Sequence, residues 1–112
     1  MNFREKAEGE YERLRSLIGY RHPFGDCQLV ALMISRAIGG SIIDGEVSCT
    51  DGKRIWHFWA FGLDECIYDP LAAHWPDSQP ELYFPCKHVK EQEVLGELEL
   101  FIEAIEYIPH NY

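Results

Sequence analysis

A chain of 112 residues that is 46% hydrophobic and 13% aromatic can build a real core but leaves no room for a second domain, so residues 1–112 are expected to form a single ordered domain. The formal charge of -9, from 19 acidic against 10 basic side chains, argues against nucleic acid and against an anionic membrane surface, since Lys and Arg hold both. No apolar run is long enough to span a membrane, and "MNFREKAEGEYERLRSL" lacks a signal-peptide core. These features predict a cytoplasmic protein and leave open export by a route that reads no cleavable signal.

Along the chain, Phe3, Ala7, Tyr11, Leu14 and Ile18 recur at helical spacing and predict an amphipathic helix, with Glu5, Glu8, Glu12 and Arg13 left to water. "GYRHPFGD", Gly19 to Asp26, reads as a loop ending on a residue type that caps helices. From Cys27 to about Ile38, the residues Leu29, Val30, Ala31, Leu32, Met33, Ile34, Ala37 and Ile38 wrap most of the circumference. This predicts a central, buried helix that Gly39-Gly40 terminates. "SIIDGEVSC" and "KRIWHFWAF" flank Thr50-Asp51-Gly52 and predict a β-hairpin. A third strand, Cys66 to Asp69, is expected after Leu63-Asp64-Glu65, stopping at Pro70. Leu71 to His88 is expected to be irregular apart from a short strand near Leu82-Phe84. Val94, Leu95, Leu98, Phe101, Ile102 and Ile105 predict a closing helix, which Gly96 weakens. Separate runs of helix and antiparallel strand indicate the α+β class.

Cysteines 27, 49, 66 and 86 form no Cys-x-x-Cys pair, which supports neither a zinc ribbon nor a thioredoxin motif. The spacings of His74, Cys86 and His88 fit no standard zinc site. No metal or cofactor is expected. Cys27 is the cysteine with a chemical context, because unpaired N–H groups at a helix start favour a thiolate. His57 lies in the most aromatic strand and Asp69 at the end of the next. In that combination the thiolate is the nucleophile, the imidazole carries its proton, and the carboxylate fixes the imidazole. Parity puts Ile55, His57, Trp59 and Phe61 on one face of their strand. Asp69 joins that face only if the connection has odd length or a bulge, for which Gly62 is the natural site, compensates. A loop of Leu63-Asp64-Glu65 would set Gly62 against Cys66 and Asp69 against Trp59, diagonal to His57.

"DCQLVALMISRAIGG", "WHFW" and "IYDP" resemble the core of papain-fold and transglutaminase-like cysteine hydrolases, and most closely the compact papain-fold toxin and protein-deamidase domains of bacteria. The resemblance covers Asp26 to Trp75. It implies a papain-like core in which a Cys-headed central helix packs on a small antiparallel sheet, flanked by terminal helices. It also implies Cys27 as nucleophile, His57 as general base and Asp69 as orienting acid. Tyr20 to Gly25 contains no glutamine of the kind many papain-like enzymes place before the cysteine. Oxyanion donors would then be the Cys27 N–H together with Gln28 or His22. Trp59, on the face of His57, would shield the site or line a substrate groove. The expected activity is hydrolysis of an amide in a protein or peptide substrate, as glutamine side-chain deamidation or peptide cleavage. The alternatives are a non-catalytic binding module on the same scaffold and an acidic interaction protein. The oligomeric state stays open.

Overall fold

In the computed structural model the described residues are 2–18, with side chains through Ser16, then 27–75 and 77–94. The expected Gly19–Asp26 loop, the Asp26 cap and most of the closing helix lie outside them. Residues 91–94 are helical.

Helix α1 (Phe3–Ile18) starts where the Asn2 side chain accepts the Glu5 N–H at 2.8 Å, satisfying one of the unpaired donors of the first turn. Its apolar stripe, Ala7, Tyr11 and Leu14, is buried. Helix α2 (Cys27–Ile38) is the central helix. Leu32 and Ile34 are each 1% exposed, and such burial is worth about 2 kcal/mol per side chain. It ends in a Schellman cap. Gly39 takes a left-handed φ of 73°, and the Gly40 N–H reaches the Ser35 carbonyl at 2.9 Å.

Strands β1 (Ser41–Cys49), β2 (Arg54–Phe61), β3 (Ile67–Tyr68) and β4 (Pro80–Val89) form one antiparallel sheet in the order β3-β2-β1-β4. A single helical turn, α3 (Pro70–Ala73), follows β3. The fold is α+β. Side chains alternate across the sheet as parity requires. Ile42, Phe58 and Ala60 join the residues of α1 and α2 on one face. Ile43, Val47, Cys49 and Trp59 form a second core on the other, with Ile55, Phe61, Trp75 and Tyr83 packed against it.

The 71–88 segment corrects the expectation of irregular structure. It holds α3 and a strand of ten residues, β4, which pairs with β1 from Val89 to Pro80. Most of β4 is exposed, so no apolar alternation marks it, and it carries Pro80 and Pro85, which an edge strand tolerates. The third strand is also shorter than Cys66 to Asp69, with only Ile67 and Tyr68 in the ladder.

The two hairpin loops share one design. Thr50-Asp51-Gly52 closes with the Gly52 N–H on the Cys49 carbonyl, and Leu63-Asp64-Glu65 with the Glu65 N–H on the Gly62 carbonyl. In each, the aspartate accepts the backbone N–H two residues on, that of Lys53 or Cys66. Each ends on a left-handed residue, Gly52 at φ 86° and Glu65 at φ 63°, the geometry of a type I turn followed by a bulge. Glutamate is the costly residue there. Glu65→Gly is expected to raise stability by about 0.5 kcal/mol, because relief of left-handed strain exceeds the added entropy of the unfolded chain. The melting temperature should rise by about 3 °C, while no rise would show that the turn carries no strain.

Candidate active site

The first residue of α2 is Cys27, so its N–H is among those that find no acceptor within the helix. The body of α2 covers the sheet face bearing Phe58 and Ala60, whereas His57 belongs to the opposite parity. The N-terminal end of the helix meets His57 through Cys27. Strand β3 pairs with Ala60 and Phe61 alone, so it does not cover β2 at His57. There Cys27 and the His57 ring share a hydrogen bond.

Asp69 arrives by the odd-length connection. Gly62 opposes Cys66, its N–H bonding the Cys66 carbonyl at 2.9 Å, and Tyr68 opposes Ala60. Continued by one residue, this register sets Asp69 beside Trp59 and diagonal to His57. The His57 Nε2 and Asp69 Oδ2 lie 2.8 Å apart. The structure therefore brings Cys27, His57 and Asp69 into one hydrogen-bonded chain.

The chain has a definite polarity. With Nε2 given to Asp69, Nδ1 is the ring nitrogen left for the Cys27 thiol. A neutral imidazole that donates from Nε2 has its lone pair on Nδ1 and can accept the thiol proton. Burial works against the charged imidazolium, since His57 is 1% exposed. The hydrogen bonds to Asp69 and Cys27 and the negative charge of both outweigh burial and hold the His57 pKa up at about 9.

Aromatic rings enclose the imidazole. Trp59 is 2% exposed, its ring 6.1 Å from that of His57, and Trp75 meets His57 edge-on at 5.0 Å. Such walls keep water away and strengthen the polar contacts inside. Gln28 is half-buried in the first turn of α2, next to Cys27. His22 lies outside the described residues. His74, weighed with Cys86 and His88 as a metal ligand, stacks on Tyr11 at 5.1 Å. No cluster suited to a metal ion occurs among the described residues, and none of their helices is long and apolar enough to cross a membrane.

Two members of the site were missed from sequence. The Tyr83 hydroxyl donates to Asp69 Oδ2 at 2.7 Å, so that one oxygen accepts both His57 and Tyr83. Burial raises the phenol's pKa, and the Asp69 charge adds to the effect, so Tyr83 stays a neutral donor. Trp75 is the other. Tyr83 belongs to the strand that shows no alternation, and Trp75 follows a single helical turn, so neither carried a periodic signal. Comparisons with protein-family models, with curated proteins and with solved structures find no match for this chain.

Proposed function

We propose that the chain is a cysteine hydrolase of amide bonds built on a papain-like core, with Cys27 as nucleophile, His57 as proton carrier and Asp69 as orienting carboxylate. The observation that carries this reading is the continuous contact from Cys27 through His57 to Asp69. Each residue comes from a different element.

In the proposed reaction His57 already holds the Cys27 proton near neutral pH, and the Cys27 thiolate attacks the substrate carbonyl carbon. The oxyanion that forms is met by the Cys27 N–H, with Gln28 or His22 as second donor. Collapse of this intermediate breaks the carbon–nitrogen bond, and the His57 imidazolium gives its proton to the leaving nitrogen. Ammonia departs from a glutamine side chain, or an amine from a peptide. His57 then takes a proton from water, which attacks the thioester and returns the thiol and a free acid.

Low exposure favours a second reading, the non-catalytic module. Cys27 is 9% exposed and His57 1%. Mass spectrometry of proteins treated with the wild type and with Cys27→Ala separates the two. A Cys27-dependent conversion of glutamine to glutamate is expected for a deamidase, and Cys27-dependent fragments for a peptidase. Neither change, at enzyme levels equal to substrate, would sink the hydrolase.

A further inference from the structure

We propose that Tyr83 is the positioning residue of this site, holding the Asp69 carboxylate in the orientation from which it faces His57. The inference rests on the triad reading for its functional meaning and extends it to a strand that supplies no reacting group.

Asp69 has little of its own to hold it. It follows a strand of two residues and occupies the N-cap position of a helix of four, so no long ladder fixes its backbone. An aspartate in that position ordinarily bonds the free N–H groups of the helix. Here it makes no side-chain capping bond, and the first helical residue, Pro70, has no N–H. The carboxylate is turned away from the helix, with Oδ2 on His57 and Tyr83. His57 cannot serve as its reference, because the imidazole is the group to be oriented.

Tyr83 is anchored independently. It stands opposite Val47 in the β1–β4 ladder, and its ring packs edge-on against buried Trp59 at 4.9 Å. It also reaches across the sheet. β3 and β4 are opposite edges of the order β3-β2-β1-β4, and in a flat sheet three strand spacings would part them by about 14 Å. The 2.7 Å contact between Tyr83 and Asp69 is thus made by the tyrosine side chain reaching past Trp59, on which its ring packs, across the curl of the sheet to a residue just beyond β3. The hydroxyl closes that curl onto the one residue that orients His57.

The test is the His57 titration midpoint, followed by NMR of the ring Cε1–H and assigned with His57→Gln. The ionisable groups that face the imidazole among the described residues are Cys27 from α2 and Asp69 from the β3–α3 junction, with Tyr83 acting through Asp69. Tyr83→Phe keeps the ring and its packing on Trp59, and unchanged amide dispersion confirms the fold. If Tyr83 positions Asp69, the midpoint falls by about one unit, as expected for a weakened hydrogen bond to a charged group. In an Asp69→Asn background the same substitution leaves the midpoint unchanged. A raised midpoint in Tyr83→Phe would mean that Tyr83 competes with His57 for Oδ2, and an unchanged one that it only packs. Equal shifts in both backgrounds would mean action by another route. Each of these overturns the proposal. The triad is judged separately, by the dependence of Cys27 reactivity on His57. An ordinary Cys27 beside a Tyr83-dependent His57 would refute the hydrolase and leave the positioning contact standing.

Discussion

Asp69→Ala is expected to lower the proposed Cys27-dependent amide hydrolysis about 10³-fold, within the range for loss of positioned acid–base catalysis. The variant keeps its nucleophile and its imidazole but loses the group that fixes the ring and stabilises its charged form. The same substitution should change the pH dependence of stability. The His57 pKa stands at about 9 in the folded protein against an ordinary 6.5. Stability from a raised pKa is fully present below the unfolded value, here pH 6.5, and is lost as the pH rises through 9. The shift corresponds to about 3 kcal/mol. Urea unfolding at about pH 6 and about pH 10 should show the wild type losing more stability than Asp69→Ala, whose His57 keeps only the Cys27 contribution. Equal losses would mean that Asp69 does not hold His57 in its charged form.

Gly45→Ala should be among the most damaging single substitutions for stability. Gly45 stands between His57 on β2 and Pro85 on β4, at a register shift in the β1–β4 ladder. A Cβ placed there would lie 2.4 Å from the Phe84 carbonyl oxygen, 2.6 Å from the Trp59 ring and 3.1 Å from the Pro85 Cα. Two of these atoms are backbone, and relief would require β4 to separate from β1. The third belongs to a side chain 2% exposed, which cannot shift without disturbing the wall beside His57. A loss of about 3 kcal/mol or more is expected, read as a lower urea midpoint at unchanged slope. A loss below about 1 kcal/mol would show that β4 yields easily.

The parts of the site that were legible in sequence are those set by local rules. Cys27 falls at a helix start because an almost continuous apolar run begins there and Gly39-Gly40 stops it one helix later. Asp69 shares a face with His57 because parity and an odd loop dictate it, and the Gly62–Cys66 pair meets that condition. Strand β4 followed no such rule. Paired on one side and mostly exposed, it needs no alternation of apolar residues. Tyr83 went unseen with it, since its contact with Asp69 depends on how far the whole sheet curls, a property of packing against Trp59 and not of any short stretch. The extent of β3 was misjudged for a related reason. Pro70 marks where the strand must stop, but the helical turn that follows draws Asp69 out of the ladder before that point.

The most direct test of Cys27 as a His57-assisted nucleophile is its alkylation by iodoacetamide near neutral pH, followed peptide by peptide. The other cysteines serve as internal standards. None of the three is in a disulfide; Cys66 and Cys86 are exposed, whereas Cys27 is buried, so accessibility alone would make Cys27 slower than either. The account predicts the reverse order, with Cys27 alkylated at least about tenfold faster than both. It also predicts that His57→Ala slows Cys27 about 100-fold and leaves Cys66 and Cys86 unchanged. A Cys27 that reacts more slowly than the exposed thiols, equally in the wild type and in His57→Ala, would contradict it.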